Sequence, residues 1–326
     1  MNTTPALLDM IAALIGTPSV SSVRPELDQG NRKVIDLLAD WLDSGGFKVE
    51  IMTLPGTPAK ANLVATLGNG PGGLVLSGHT DTVPFDADRW THDPFTLTRA
   101  DDRLYGLGTS DMKAFLALAI EALRDVRPND LREPVILLAT ADEETSMAGA
   151  KALVERRIPQ ARHALIGEPT GLCPVRMHKG ILMEAIRLQG RSGHSSDPAL
   201  GNSALEAMHT VIGALLSWRA QLQEKYRNTV FAVPVPTLNL GHIHGGDNPN
   251  RICADCELHI DLRPLPGMVL EELRADIHTC VNRSLQGSGI RVIFESLFDG
   301  IPAMETAADT EIVRITEKLT GHTAGA

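Results

Sequence analysis

The sequence predicts an α/β protein: a mostly parallel sheet covered by helices, with an inserted α+β domain. Over residues 1–178, short apolar strand-like runs alternate with segments of helical periodicity, the pattern of a parallel sheet whose strands are joined by helices. From about Lys179 that alternation stops, and longer strands and helices follow in an order typical of a separate α+β unit. A length of 326 residues is also enough for about two domains.

The first region supplies the strand ends on which the functional argument depends. Its second helix is expected to end at Gly45 and Gly46, because glycine is the preferred residue just beyond a helix end. We predict helices over residues 5–15, 30–44, 113–126 and 146–156, and strands over residues 47–54, 62–67, 73–77, 134–140 and 163–166.

The second region is expected to form an inserted domain over residues 179–298. Residues 299–326 are then expected to return to the first domain, with an amphipathic helix over residues 310–319. Within the insertion we predict strands over residues 181–189, 237–243, 252–263 and 290–298, and helices over residues 202–226 and 270–285.

Composition excludes several classes of protein. The net charge of −10 argues against nucleic acid and against anionic membranes as partners. No apolar run approaches the ~20 residues that cross a bilayer, and no basic residue precedes the apolar stretch near the N-terminus, as a secretory signal would require. The four cysteines show no disulfide framework. We therefore expect a cytoplasmic protein.

Candidate metal ligands follow predicted strands or precede a predicted helix in four separate segments. His79 follows the strand over residues 73–77, and Asp111 precedes an apolar helix. Each residue alone is more simply interpreted as a turn or helix-capping residue. Their recurrence favours a site, because ligands bind beyond the carboxyl ends of strands in open α/β sheets. The two remaining segments end in the pair Glu143 and Glu144 and in Glu168.

The mixture of one imidazole with several carboxylates fits two divalent ions of the zinc kind. Two such ions carry four positive charges. Asp111, Glu144 and Glu168 supply three negative charges, and a bridging hydroxide supplies the fourth. Asp111 is the natural bridge, since each of its oxygens can serve one ion. The sequence therefore predicts a hydrolase with two metal ions.

Two further residues have predicted catalytic roles beside the ions. Asp81 lies two residues after His79, where its carboxylate can accept the other ring N–H and fix the tautomer of the histidine. Glu143 is left free of the metals in this assignment. It is expected to take a proton from the bridging water and return it to a leaving nitrogen.

Six segments of the chain resemble the M20 family of dinuclear-zinc peptidases: GHTDTVPF, LYGLGTSDMKAF, ATADEETSMAGA, IGEPT, RSGHSSDPALG and NLGHIHGGDNPNRIC. Within the family they look most like the members that hydrolyse N2-acetyl-L-ornithine to L-ornithine and acetate in arginine biosynthesis. The resemblance implies two Zn²⁺ per subunit, with cobalt as an alternative ion. By that resemblance, His79 and Glu168 would hold one zinc, Glu144 would hold the other, Asp111 would bridge, and Glu143 would be the general base.

The resemblance also implies that the inserted domain is a lid through which the chain forms a homodimer. His194 would then reach the partner subunit's active site and stabilise the oxyanion. The α-carboxylate of an N-acyl amino acid substrate needs a bidentate cation, for which Arg251 is the first choice and Arg263 the alternative. Asn250, beside Arg251, is a further candidate for substrate binding.

One departure from the family pattern concerns the last metal ligand. The family supplies a histidine from a glycine-rich segment near its C-terminus, whereas this chain stops at Ala326, and His322 is a poor substitute. We therefore expect a C-terminally truncated member in which the ion on Glu144 lacks a protein ligand. The alternatives are a sister amidohydrolase, either a succinyl-diaminopimelate desuccinylase or a dipeptidase, and a truncated chain without catalysis.

Overall fold

The computed structural model describes residues 4–326. The chain forms two compact units, and the boundary between them along the sequence lies between Pro169 and Thr170. Each unit is described separately. The first contains α1 (Leu7–Ile15), α2 (Arg32–Ser44), β1 (Lys48–Leu54), β2 (Thr57–Leu67), β3 (Leu74–His79), β4 (Thr98–Ala100), β5 (Arg103–Tyr105), α3 (Lys113–Ala122), β6 (Val135–Thr140), α4 (Ala148–Arg156) and β7 (His163–Ile166).

The main sheet of the first unit has the strand order β1-β2-β6-β3-β7. Strand β3 pairs in parallel with both β6 and β7, while β2 runs antiparallel to β1 and to β6. Four of the five strands therefore point the same way. The predicted α/β class with a mostly parallel sheet is confirmed.

Both faces of this sheet are buried, as the apolar strand sequences require. On β6, Leu137 joins the core formed with α1, α2 and α3, whereas Ile136 and Leu138 join a smaller core that includes Leu153 of α4. Neighbouring strand residues point to opposite faces, so one strand contributes to two cores. The strands are therefore packed on both faces, and the candidate site lies at their carboxyl ends.

The second unit contains β8 (Met177–His178), β9 (Ile181–Gln189), α5 (Ala204–Lys225), β10 (Thr237–Gly245), β11 (Asp255–Arg263), α6 (Leu270–Ser284), β12 (Arg291–Ile301), β13 (Met304–Glu305) and α7 (Glu311–Thr320). Its antiparallel sheet has the order β10-β11-β9-β12, and α5 and α6 pack against it. Along β11, Leu258, Ile260 and Leu262 are buried, while His259 and Asp261 alternate with them. The unit combines an antiparallel sheet with helices, as expected of an α+β unit, and the predicted bounds of residues 179–298 stay a prediction.

The segments on either side of this sheet pair with each other. Strand β13 pairs with β8, and the Arg176 N–H donates to the carbonyl of Gly325. These contacts lie within the second compact unit. The return of residues 299–326 to the first domain stays a prediction.

Two local features differ from the sequence prediction. Strands β4 and β5 form a hairpin that was not predicted, with Asp101 and Asp102 at positive φ in its turn. Strand β2 begins at Thr57, five residues before the predicted start at residue 62. Residues 57–61 are Thr-Pro-Ala-Lys-Ala, which has a proline and no alternation of large apolar side chains to indicate a strand. Among residues 4–326, no helix has the length and apolar character needed to cross a membrane.

Candidate metal centre

The parallel strands bring the candidate ligands to one edge of the sheet. His79 is the last residue of β3 and lies opposite Thr140, the last residue of β6. The turn after β6 carries Glu143 and Glu144, and Glu168 follows β7 by two residues. Asp111 comes from the loop before α3, a helix that packs against β3.

His79 is buried, with 2% of its surface exposed, and its ring is oriented by a main-chain group. The Nδ1–H donates to the carbonyl oxygen of Asp81 at 3.0 Å. This bond fixes the tautomer and leaves the lone pair of Nε2 for a ligand. The predicted partner was the Asp81 carboxylate, which lies farther away, at 3.7 Å from Nδ1. That assignment is therefore corrected to the carbonyl of the same residue.

The Asp81 carboxylate has a different task. Its Oδ1 accepts the main-chain N–H of Glu143 at 3.2 Å, and its Oδ2 accepts that of Glu144 at 3.1 Å. Burial raises the pKa of Asp81, against the lowering effect of His79 and of these hydrogen bonds. Asp81 therefore holds the peptide that carries the two glutamates.

The Nε2 atom of His79 faces a ring of carboxylates. It lies 3.0 Å from Asp111 Oδ1, 3.8 Å from Glu168 Oε1 and 4.0 Å from Glu143 Oε2. Within residues 4–326, two groups place one potential ligand atom per residue within 4.8 Å of the others. One group is His79, Asp111 and Glu168; the other is His79, Glu143 and Glu144. His322 belongs to neither group.

The electrostatics of the cluster favour a cation. Burial and the charge of Asp111 raise the pKa of Glu144 to about 7. Burial and neighbouring carboxylates also raise the pKa values of Glu143 and Glu168, against the lowering effect of His79. Burial alone would lower the pKa of His79, but the surrounding carboxylates raise it. Bound divalent ions would offset this repulsion, and the mixed N/O donor set fits zinc or a related ion. Which glutamate binds metal and which acts as base stays a prediction.

Three candidate residues of the second unit lie together. His194 and Arg251 form an isolated antiparallel bridge, and the Ser195 N–H donates to the carbonyl of Asn250 at 3.0 Å. The Arg251 guanidinium is already engaged, since Nη1 contacts Asp247 Oδ2 at 2.6 Å. These residues therefore form one polar loop cluster next to the N-terminal end of β11.

Arg263 lies at the opposite end of β11 from that cluster. Its Nε donates to both carboxylate oxygens of Asp261 at 3.0 Å. Asp255 and Arg263 bound the strand, which at about 3.3 Å per residue spans roughly 26 Å. Arg251 and Arg263 therefore cannot clamp the same carboxylate together, and they remain alternatives.

Lys113, at the start of α3, is a buried residue that the sequence argument did not identify. Its Nζ donates to the carbonyl of Thr17 at 2.7 Å and to Ser19 Oγ at 3.2 Å. Burial lowers the pKa of Lys113 to about 7, and the charge of Asp81 opposes that shift. The available sequence signal was a lysine in the apolar run that follows Asp111. It anchors the first turn of α3 beside that candidate ligand.

An α/β domain that gathers a histidine and carboxylates at its strand ends has the architecture of a metal-dependent hydrolase. Residues 75–324 match the family described as Peptidase family M20/M25/M40. The match covers more than half of the chain, and the chain therefore belongs to this family.

Solved structures with low sequence identity share the fold. Aminopeptidase PepT from Bacillus cereus is 22% identical, with a TM-score of 0.72 over 98% of this chain and 83% of that one. An M20 family metallo-carboxypeptidase from Sulfolobus solfataricus is 17% identical, with a TM-score of 0.72 over 98% and 85%. A dinuclear metal binding M20 peptidase from Bacillus subtilis is 14% identical, with a TM-score of 0.65 over 98% and 82%.

Proposed function

We propose that this M20 hydrolase is an acetylornithine deacetylase, which converts N2-acetyl-L-ornithine and water to L-ornithine and acetate in arginine biosynthesis. The observation that carries the hydrolytic part is the convergence of His79 with Asp111, Glu143, Glu144 and Glu168. The six motif segments support the substrate, since they look most like the members of the family that act on it. The proposed location is the cytoplasm.

The proposed cofactor is a pair of Zn²⁺ ions, with cobalt as an alternative. His79 and Glu168 would hold one ion, Glu144 the other, and Asp111 would bridge. Bound divalent ions polarise an amide carbonyl and lower the pKa of water. One geometric group supports the first part of the assignment, because Asp111 and Glu168 share it with His79; the other group joins His79 with Glu143 and Glu144, so the choice of Glu144 as the ligand follows the family resemblance.

Glu143 is the proposed general base and acid. Its carboxylate takes a proton from the attacking water as the new C–O bond forms on the acetyl carbon. It then gives that proton to the ornithine nitrogen as the C–N bond breaks, so the group returns to its starting state. Asp81 supports both steps, since it accepts the main-chain N–H of Glu143 and so fixes the position of the backbone from which the Glu143 side chain extends.

Substrate recognition is assigned to the inserted domain. Arg251, assisted by Asn250, is the proposed partner of the substrate α-carboxylate, with Arg263 as the alternative. His194 is proposed to act on the oxyanion of the partner subunit's substrate, in a homodimer that forms through this domain. The bridge between His194 and Arg251 supports a shared task, because it places the two residues side by side.

A peptidase or a desuccinylase is the second candidate. The solved relatives include an aminopeptidase, a carboxypeptidase and a yeast di-peptidase, all at less than 25% identity. These activities and the proposed deacetylation share amide hydrolysis and differ in the groups on either side of the amide bond that is cleaved. The catalytic proposal is therefore common to both candidates.

Steady-state kinetics on one zinc-loaded preparation separate the candidates. The substrates are N2-acetyl-L-ornithine, N-succinyl-diaminopimelate, a dipeptide and a tripeptide, with Glu143→Gln as the inactive control. We expect the highest kcat/KM for N2-acetyl-L-ornithine. A higher value for the succinyl substrate or for either peptide would reject the deacetylase assignment and retain the hydrolase.

A further inference from the structure

The turn that carries the two glutamates begins with a left-handed residue. Asp142 has φ of +57°, in the left-handed region that glycine enters most readily and that Asp and Asn enter more often than other side chains. The Met147 N–H closes the turn on the carbonyl of Asp142 at 2.7 Å. Because Asp142 directly precedes Glu143 and Glu144, its backbone conformation sets the direction of the chain at both glutamates.

The Asp142 side chain is buried and held by two partners. Its Oδ1 accepts from Lys60 Nζ at 2.7 Å and from Ser21 Oγ at 3.0 Å. Strands β2 and β6 pair antiparallel, with Leu63 opposite Ala139 as the last pair, and Lys60 and Asp142 both lie three residues beyond that pair. The neighbouring strands therefore bring the two side chains to the same end of the sheet.

Lys60 remains a charged partner although it is only 7% exposed. Its Nζ also lies 2.7 Å from Asp28 Oδ2. Burial lowers the pKa of Lys60, but the hydrogen bonds to Asp142 and Asp28 outweigh it and raise the pKa overall. Lys60 is a fixed anchor for Asp142, because removing the lysine would leave a buried carboxylate without its cation.

Ser21 connects this anchor to the loop after β3. Its hydroxyl lies 2.7 Å from Thr145 Oγ1, inside the same turn, and its N–H donates to the carbonyl of Thr82 at 2.9 Å. Thr82 adjoins Asp81, whose carboxylate holds the N–H groups of Glu143 and Glu144. The turn is therefore fixed on one side by Asp81 and on the other by Lys60 and Ser21.

We propose that Lys60, Asp142 and Ser21 are positioning residues that hold the Glu143–Glu144 peptide against Asp81. They set the distance of both glutamates from His79 and so support metal binding and proton transfer. None of the three belongs to either group of candidate ligands among residues 4–326. The catalytic consequence rests on the proposed hydrolase function, whereas the effect on the turn does not.

The test compares variants that separate backbone strain from the tether. Asp142→Gly accepts a positive φ but has no side chain, Asp142→Asn accepts it and keeps an oxygen for Lys60, and Lys60→Met removes the anchor alone. Asp101→Gly is the matched control, since Asp101 also has a positive φ, 51°, but is exposed in the β4–β5 turn.

The first readout is amide hydrogen exchange of Glu143 and Glu144 in metal-free protein. We expect faster exchange in Asp142→Gly and Lys60→Met, near-native exchange in Asp142→Asn, and no change in Asp101→Gly. The second readout is kinetics of the zinc-loaded variants. A displacement near 1 Å lowers the rate by about 100-fold, so we expect kcat to fall by roughly 10- to 100-fold in the first two variants, with KM nearly unchanged.

Two results would overturn the proposal. One is a loss of thermal stability in Lys60→Met and Asp142→Gly with native exchange at residues 143–144 and native kcat, which would make the pair merely structural. The other is a defect in Asp142→Asn as large as in Asp142→Gly. If the wild-type protein hydrolyses no amide, the proposed function fails, while the exchange data still decide the positioning role.

Discussion

Glu143 and Glu144 are adjacent residues with different proposed roles, and a Glu→Gln substitution at each position distinguishes those roles. Glu143→Gln removes the base while keeping the shape of the side chain. We expect kcat to fall by about 10²–10⁴, with zinc content near that of the wild-type protein. Kinetics and elemental analysis of the same sample measure both quantities. Glu144→Gln is the matched change and should lose zinc; the reverse pattern would mean that the two roles are exchanged.

Each carboxylate oxygen of Asp81 accepts one main-chain N–H, so a change to asparagine should lower the free energy of unfolding by a predictable amount. In Asp81→Asn one of the N–H groups of Glu143 and Glu144 faces an amide NH₂ instead of an oxygen. A buried unsatisfied donor costs about 1–3 kcal/mol. Denaturant unfolding of metal-free protein should show that loss. Asp36→Asn, at an exposed ion pair on α2, should change stability by less than about 0.5 kcal/mol; equal effects would refute this account of Asp81.

At the scale of elements, the end of β7 is set by a close contact with α3. A Cβ on Gly167 would lie 2.1 Å from the Phe115 ring, and Gly167 directly precedes Glu168. Gly167→Ala should therefore cost about 1–3 kcal/mol and weaken zinc binding, because Glu168 must move. Thermal denaturation and zinc titration test this.

Gly213 is the matched control for that substitution. It lies inside α5 with nothing within 4 Å of an added Cβ. Gly213→Ala should raise stability by up to about 1 kcal/mol through helix propensity. Native stability and zinc affinity in Gly167→Ala would contradict the proposed packing constraint on β7.

The strand ends could be predicted because their causes are local. Strands β3, β6 and β7 are short apolar runs, and the predicted ends lie within two residues of the observed ones. The rule that ligands lie beyond parallel strand ends then brings His79 and Glu168 together. The β4–β5 hairpin was missed because its three-residue strands are mostly polar and carry no hydrophobic periodicity.

The supporting contacts could not be predicted because they depend on strand order. Lys60 and Asp142 are 82 positions apart in sequence. They meet because β2 joins the sheet beside β6, an arrangement that no local pattern of either residue indicates. The partner of the His79 Nδ1–H was misassigned for a related reason, since the carboxylate of Asp81 was engaged by a turn 62 residues away.

For the whole molecule, the carboxylate cluster predicts how stability depends on pH. The folded state holds the Glu144 proton up to about pH 7, whereas an unfolded glutamate releases it near its ordinary value of 4.5. The contribution of this group is therefore present below about pH 4.5 and is lost as the pH rises through about 7. Metal-free protein should lose thermal stability across that range, and bound zinc should remove the loss.

Thermal melts with chelator, with zinc and with Glu144→Gln test this dependence. Glu144→Gln lacks the titrating carboxyl group, so in chelator its melting temperature should depend less on pH than that of the wild-type protein. The raised pKa values of Glu143 and Glu168 act in the same direction, so some slope should remain. Stability that increases between about pH 5 and 7 in metal-free wild-type protein, relative to the variant, would have the wrong sign.

The proposed homodimer makes a prediction about mixed subunits. His194→Ala and Glu143→Ala should each be inactive alone, because each homodimer lacks one essential group at every site. After subunit exchange, a mixed dimer regains one complete site if His194 acts on the partner subunit's substrate. Activity should recover in proportion to the mixed dimer. Confirmed exchange without recovery would place His194 outside the partner's site.

Calorimetric titration of metal-free protein with Zn²⁺, in the wild type and in His79→Ala, tests the central claim most directly. His79 is the proposed ligand of one zinc together with Glu168, and both groups of candidate ligands contain it, so its loss should weaken that zinc site. Loss of an outer contact to a metal ligand already costs 10- to 100-fold in affinity, so we expect a decrease of more than about 100-fold. Equal zinc affinity in the two proteins would show that the carboxyl ends of β3, β6 and β7 do not form the metal centre.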